Sequence, residues 1–140
     1  MIRRVLLLFS AGIIAAMGLA ACNGDDDGDD ANGVGNGDSI SMDMGEFYFD
    51  PDDISGDAGS ELTIELENTG SQVHNFTIEE GDARGDGFDA WPDSEVQLEL
   101  TEGESGSLTL SLPDEAGEYE FICTIPGHYE SGQWGTLTVN

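Results

Sequence analysis

From Ser39 onward, apolar and polar residues alternate with a period of two in several short runs. In Glu61–Asn68 every second residue is Leu or Ile, and Val96–Leu100 and Ser107–Leu112 repeat the pattern. A period of two places successive side chains on opposite faces of a β-strand, whereas an amphipathic helix needs a period near 3.6. Gly, Asn, Asp and Pro separate the runs, as in turns. About six to eight short strands, each with one wet face, predict an all-β antiparallel sandwich or barrel.

The N-terminal residues have the features of an export signal. Two arginines precede the apolar run Val5–Ala21, which ends in Leu-Ala-Ala before Cys22. This ending is typical of a lipoprotein signal, in which the cysteine is lipidated and becomes the new N-terminus. We therefore predict a signal over residues 1–21 and lipidation of Cys22. An uncleaved anchor helix is the alternative, although the run is at the short limit of about 17 residues for spanning a bilayer. Both interpretations place the folded part outside the cytoplasm.

Residues 22–38 are predicted to form an acidic tether. Beyond Cys22 the segment is almost entirely Gly, Asn and Asp, with one Ala and one Val. Such a composition cannot form a core, and like charges extend it. A calcium site is disfavoured because the EF-hand spacing and its closing Glu are missing. The folded domain is predicted to cover residues 39–140.

The charge balance restricts the classes of partner. The chain has 30 Asp plus Glu against 3 Lys plus Arg, a net charge of −27. Nucleic acid and anionic surfaces would repel it. The acidity indicates either adaptation to a salty medium or a docking field for a basic redox partner. Because the acidic residues are spread over nearly every segment, the first interpretation is favoured.

Three residues of the predicted domain form a candidate metal site. Cys123 is its one cysteine, and His74 and His128 are the two histidines of the chain. The alternation around His74 and Cys123 points both side chains inward near strand ends. Pro126 and Gly127 form a turn that returns His128 toward Cys123. One thiolate and two imidazoles suit a trigonal copper site, with room for a weak axial ligand after His128.

Other interpretations of these residues remain open. A zinc ion accepts the same donor types. A Cys–His pair can also form a nucleophile, although Cys123 lacks a helix and an evident orienting group. Each residue taken alone could be an ordinary core residue. The joint inward placement of all three favours a metal.

The sequence resembles the blue copper proteins, or cupredoxins, near their azurin, rusticyanin and halocyanin-like members. The resemblance rests on the Cys-Thr-Ile-Pro-Gly-His motif of 123–128, on His-Asn-Phe at 74–76 and on the segment Glu46–Pro51. It implies a Greek-key β-sandwich that carries single electrons on one mononuclear copper ion and is not an enzyme. By this resemblance His74, Cys123 and His128 are the equatorial ligands. The side chain of Asn75 is then expected to bind the loop at Thr124.

The axial position departs from the usual pattern of the family. Most members have a methionine four or five residues after the loop histidine, where this chain has Gly132 and Gln133. An amide oxygen is the axial donor in the stellacyanin-like branch. Gln133 is therefore predicted as the axial ligand, and the backbone carbonyl of Val73 as a further contact.

These observations predict a lipid-anchored, extracytoplasmic, monomeric type 1 copper protein. Its expected partner is another redox protein, such as a cytochrome or an oxidase, and not nucleic acid. A copper-binding or delivery protein with the same ligands is the first alternative. A metal-free adhesive β-sandwich on the cell surface is the second.

Overall fold

The computed structural model describes residues 33–34, 39–81 and 84–140. Across these ranges the chain forms ten β-strands and one 3-10 turn, and no α-helix. The elements are β1 (Gly33–Val34), β2 (Ser39–Gly45), β3 (Tyr48–Asp50), β4 (Asp53–Gly56), β5 (Glu61–Asn68), β6 (His74–Ile78), β7 (Val96–Leu100), β8 (Ser105–Ser111), β9 (Gly117–Ile122), the 3-10 turn (Tyr129–Ser131) and β10 (Trp134–Val139). In the same ranges no helix has the length and apolar character to cross a membrane.

The strands form two sheets that pack face to face. One has the order β1-β4-β10-β9-β6-β7 and the other the order β3-β2-β5-β8. The predicted all-β sandwich is confirmed. The sheets are mixed and not wholly antiparallel, because β2 pairs with β5, and β4 with both β1 and β10, in parallel. Two neighbouring strands can be parallel only where the chain crosses from one end of the sheet to the other between them.

The predicted alternation builds the core between the sheets. β5 coincides with the run predicted at Glu61–Asn68, and its Leu62, Ile64 and Leu66 are almost fully buried. On β2, the neighbouring strand, Met42 and Met44 are buried in the same way. Each fully buried aliphatic side chain of this size stabilises the fold by about 1.5–3 kcal/mol.

An aromatic cluster closes the core near one end of the sandwich. The rings of Phe76 and Phe121 stack with centroids 4.9 Å apart, and Phe49 meets Phe121 edge-on at 5.2 Å. Phe76 lies two residues after His74, and Phe121 lies two residues before Cys123. The cluster therefore fixes the strand ends from which both candidate ligands project.

β6 differs from the sequence prediction on its second face. The alternation predicts one wet face for each strand, and Asn75 and Thr77 lie on the face opposite His74, but their exposed fractions are 2% and 0%. β7 and β9 flank the strand on both sides. In addition, the side chain of Gln97 and the loop residue Thr124 bond to these two polar side chains and cover them. The general expectation of one wet face per strand is therefore wrong for β6, because it considers only the local pattern, whereas the bond from Asn75 to Thr124 is the one that the resemblance implies.

The N-terminal predictions lie largely outside the described residues. This applies to the signal over residues 1–21 and to lipidation of Cys22. Within the predicted tether, Gly33 and Val34 form β1, which pairs with Ser55 and Gly56 at the edge of the larger sheet. Part of that segment is thus a short edge strand.

Candidate metal centre

The four predicted ligands come together from three places in the chain. His74 begins β6, Cys123 directly follows β9, and His128 and Gln133 lie on the loop that joins β9 to β10. All four are buried, with exposed fractions of 0% for His74, Cys123 and Gln133 and 5% for His128. The structure therefore brings polar side chains from distant segments into one buried cluster.

Hydrogen bonds inside the β9–β10 loop hold its shape. The His128 amide donates to the Ile125 carbonyl at 3.0 Å, which closes the turn at Gly127 (φ 87°). The amides of Cys123 and Gln133 complete the loop: the first donates to the Gln133 carbonyl and the second to the His128 carbonyl. Three of the four site residues are thus connected through their own backbone.

The side-chain donor atoms of these residues face one another. His74 Nδ1 lies 3.1 Å from His128 Nδ1, and Cys123 Sγ lies 3.5 Å from the same nitrogen. Ligand atoms of the three residues all lie within 4.8 Å of one another. Atoms that bind one ion at about 2.0–2.3 Å are separated by about 3–4 Å. The donor set therefore fits a single soft or borderline metal ion.

Gln133 adds a fourth donor atom to the cluster. Its Nε2 donates to the Tyr48 carbonyl at 3.3 Å, and this bond directs Oε1 inward to 2.9 Å from His74 Nδ1. Because the Tyr48 carbonyl can only accept, the amide must turn its NH2 group toward it, and the orientation of the amide follows from this contact. The amide oxygen is therefore available to the same ion.

Burial affects the protonation of two site residues in opposite senses for metal binding, since it favours the neutral imidazole of His74 but disfavours the thiolate of Cys123. It lowers the pKa of His74, which favours the neutral imidazole that binds metals. It also raises the pKa of the Cys123 thiol, while the backbone N–H groups of Asn75 and Ile125 partly oppose this rise. The thiol must release its proton when a metal binds.

The same burial argues against a Cys–His nucleophile. A substrate must reach the attacking sulfur, but Cys123 is fully buried and His128 is 5% exposed. The remaining potential ligand of the loop, Glu130, is exposed on the 3-10 turn.

Asn75 connects the His74 strand to the loop after Cys123. Its Nδ2 donates to Thr124 Oγ1 at 2.9 Å, and its Oδ1 accepts from the Thr124 amide at 2.8 Å. Thr77 donates to the same Oδ1, and Gln97 donates to Thr77. This network fixes the separation of the two segments that carry His74 and Cys123. Val73 directly precedes β6 with its side chain partly exposed, and the contact of its carbonyl stays a prediction.

The turn between β2 and β3 contributes contacts that the sequence did not reveal. Phe47 meets the His128 ring edge-on, with centroids 5.2 Å apart. Glu46 Oε1 lies 4.0 Å from His74 Nε2 and accepts from the Ser71 amide and hydroxyl. These two bonds hold the pKa of the Glu46 carboxyl below its ordinary value. No local pattern marks these residues, since their contacts depend on how the two sheets pack.

Residues 37–140 match the family described as copper binding proteins, plastocyanin/azurin family. Auracyanin-A of Chloroflexus aurantiacus is 31% identical over an alignment that covers 89% of this chain and 90% of the relative. The chain belongs to the plastocyanin/azurin family of copper-binding proteins. The predicted resemblance and the predicted cofactor, one copper ion, are thereby confirmed.

Other relatives match over different shares of their length. A 40-residue stretch is 58% identical to auracyanin-B of C. aurantiacus, and it spans 29% of this chain but only 17% of that protein. The copper-resistant cuproprotein CopI of Pseudomonas aeruginosa is 27% identical over 72% of this chain and 75% of its own length. The structure of auracyanin A, titled a "blue" copper protein, superposes with a TM-score of 0.56 at 26% identity. It covers 74% of this chain and 100% of that one.

Proposed function

We propose that this protein carries single electrons through one copper ion held by His74, Cys123 and His128, with Gln133 as the axial ligand. The observation that supports this proposal best is the buried cluster of one sulfur and two ring nitrogens within 4.8 Å. Membership of a copper-binding family, and similarity to a protein titled a blue copper protein, support the same function.

The residues of the site perform three tasks in this proposal. Bound copper would supply a one-electron couple. One sulfur and two imidazoles are a compromise between the ligands that the cuprous ion prefers and those that the cupric ion prefers. Complete burial of His74 and Cys123 keeps water from the ion. The hydrogen bonds of the β9–β10 loop and of Asn75 hold the donor atoms in place, so that little rearrangement accompanies gain or loss of an electron.

The route for the electron is proposed to pass through His128. It is the one of the four proposed ligands with measurable exposure, and the exposed ring of Phe47 contacts it. Val73 and Trp134, which directly adjoin His74 and Gln133 in sequence, are also partly exposed. We propose that a redox protein docks on this apolar end while the acidic remainder of the monomer stays solvated.

The chain offers a matched control for testing the sulfur ligand, since it has two cysteines. The full chain loaded with cupric ion should absorb strongly in the visible range and give a narrow copper hyperfine splitting in electron spin resonance. Cys123→Ser should lose both signals, whereas Cys22→Ser should keep them. A colourless wild-type protein after copper loading would contradict the proposal and favour a metal-free surface domain.

The axial ligand needs its own test. An amide oxygen favours the cupric ion more than a thioether does, so Gln133→Met should raise the reduction potential. Gln72→Met changes an exposed residue in the same way and should leave the potential unchanged. An unchanged or lowered potential in the Gln133 variant would rule out the axial role.

A copper-binding or delivery protein is the second candidate, favoured by the similarity to CopI. A carrier should exchange electrons rapidly with a cytochrome and should retain copper against a chelator. A delivery protein should instead release cuprous ion to the chelator or to an acceptor protein faster than it exchanges electrons.

We further propose that the protein is anchored outside the cytoplasm through a lipid on Cys22. The arginines and apolar run before Cys22 support this location. Mass spectrometry of the mature chain should find an acylated Cys22 at its N-terminus. A chain that retains Met1 and carries no lipid would contradict the anchor.

A further inference from the structure

The two-residue turn between β2 and β3, together with the first residue of β3, contacts three of the four proposed ligands. Glu46 faces His74, Phe47 packs on His128, and the Tyr48 carbonyl accepts from the amide of Gln133. The turn has only two residues between the paired positions Gly45 and Tyr48. A turn this short places each of its side chains at a fixed point above the site.

The conformation of this turn is unusual for its sequence. Phe47 has a φ of 69°, in the left-handed region that bulky side chains seldom adopt. Two-residue hairpin turns prefer Asn-Gly or Asp-Gly for this reason. Backbone strain of this kind tends to occur at functional sites and costs about 1–3 kcal/mol. The chain nevertheless has Glu46 and Phe47 here, and both side chains point to the metal centre.

The Nε2 atom of His74 lacks a hydrogen-bond partner within the part of the chain that the structure describes. The atom is buried, and Nδ1 of the same ring faces the donor cluster. When Nδ1 binds a metal, a neutral imidazole carries its proton on Nε2. A buried N–H group without an acceptor costs about 1–3 kcal/mol. His74 therefore needs an acceptor on the side away from the cluster.

Glu46 is the candidate for that acceptor, at an ion-pair distance that must shorten by about 1 Å to form a hydrogen bond. Its Oε1 lies 4.0 Å from His74 Nε2, and two hydrogen bonds from Ser71 fix the carboxylate there. Gly70 lies between the two groups. A Cβ at this position would come within 2.9 Å of both His74 Nε2 and Glu46 Oε2. The absence of a side chain at position 70 lets the imidazole and the carboxylate face each other.

We propose that Glu46 is a positioning residue for His74: its carboxylate accepts a hydrogen bond from the Nε2–H group, and Gly70 keeps the approach open. This inference rests on the proposed copper site. A carboxylate behind a ligating histidine orients the ring and raises its basicity, and loss of such a group lowers metal affinity about 10–100-fold. A more basic His74 favours the cupric over the cuprous ion.

The test compares two Glu→Gln variants of the full chain in about 1 M salt, where charge effects are screened beyond about 3 Å. Glu46→Gln should lower cupric relative to cuprous affinity about tenfold, which raises the potential by about 59 mV. Glu104→Gln is the control, because Glu104 is also an exposed carboxylate that accepts a hydrogen bond from a backbone amide, that of Thr101. This variant should leave the potential unchanged. Equal shifts in both variants, or no shift in Glu46→Gln, would overturn the inference.

Nuclear magnetic resonance of the chain loaded with cuprous ion detects the contact between Glu46 and His74 independently of the reduction potential. The His74 Nε2 proton should exchange slowly and resonate downfield in the wild type, and both features should diminish in Glu46→Gln. Gly70→Ala should diminish them as well, and adding Glu46→Gln to it should change little further. An unaltered Nε2 proton in both single variants would contradict the contact.

Failure of one proposal can be distinguished from failure of the other. A wild-type chain that binds no copper overturns the proposed function, and the role of Glu46 falls with it. A wild type with an intense copper absorption and an unresponsive Nε2 proton overturns the role of Glu46 alone.

Discussion

β5, with eight residues, and β6, with five, both lie inside their sheets, but they are stabilised in different ways. β5 buries every second residue and leaves acidic residues such as Glu65 in water. β6 buries all five residues from His74 to Ile78, and Asn75 and Thr77 bond to side chains of the β9–β10 loop and of β7, respectively. Burial of apolar surface therefore stabilises the sandwich, whereas a polar network on one strand holds the segments of the metal centre together.

The largest effect is expected in β5. Ile64→Ala removes a fully buried side chain and should lower the free energy of unfolding by about 2–5 kcal/mol. Ile64→Val should lose only about 0.5–1.5 kcal/mol. Chemical denaturation measures both, and the visible spectrum of the copper-loaded chain should not change. A changed spectrum would contradict the conclusion that β5 stabilises the fold without shaping the metal centre.

Asn75→Ala tests the opposite pattern in β6. Loss of the Asn75 side chain leaves the Thr124 amide without its 2.8 Å acceptor, so the free energy of unfolding should fall by about 1–3 kcal/mol. Copper affinity should fall about 10–100-fold, because the two ligand-bearing segments are no longer tied together.

Thr63→Ala is the matched control for that variant. It removes a side-chain hydrogen bond between β5 and β8, the 3.0 Å contact of Thr63 with Thr109. Because this pair is exposed, stability should change by less than about 1 kcal/mol and copper affinity should stay the same. A comparable loss of affinity in both variants would show that general destabilisation loosens the site.

A smaller effect is expected at Glu120, a partly buried carboxylate on the polar face of β9. Burial, followed by the charges of Asp86 and Glu79, raises its pKa above 4.5, the ordinary value. Its neutral form therefore contributes stability below pH 4.5, and this contribution is lost as the pH rises through the folded pKa. Glu120→Gln should stabilise the protein at pH 7, by less than about 1 kcal/mol after solvent screening, and should not stabilise it near pH 4.

Thermal unfolding at the two pH values measures this difference. Glu65→Gln, on the wet face of β5, is the control and should leave the midpoint nearly unchanged at pH 7. A destabilised Glu120→Gln variant would mean that the bond from Tyr129 to the carboxylate outweighs the penalty of burial.

The two strands also show what the sequence could and could not predict. The bounds and buried face of β5 follow from its own period of two, and the loop from Cys123 to His128 follows from local spacing and turn residues. The alternation of β6 does not predict the burial of Asn75 and Thr77, because it depends on Gln97 from the neighbouring strand and on Thr124 from the loop, and only the family resemblance pointed to the bond with Thr124.

The contact of Glu46 was hidden for a related reason. Glu46 reaches His74 through a hairpin turn of the opposite sheet, and its hydrogen bonds to Ser71 join residues 25 positions apart. An acidic residue in a chain with 30 Asp plus Glu gives no local signal. The contact of Glu46 with His74 depends on the packing of the two sheets, which the sequence pattern does not show.

X-ray absorption spectroscopy of the copper-loaded full chain tests the central claim most directly, because it identifies the atoms bound to the ion. We expect one short sulfur contact and two imidazole nitrogens at shorter distance, with the sulfur absent in Cys123→Ser. A copper ion surrounded only by oxygen and nitrogen in the wild type would contradict a centre built from His74, Cys123 and His128.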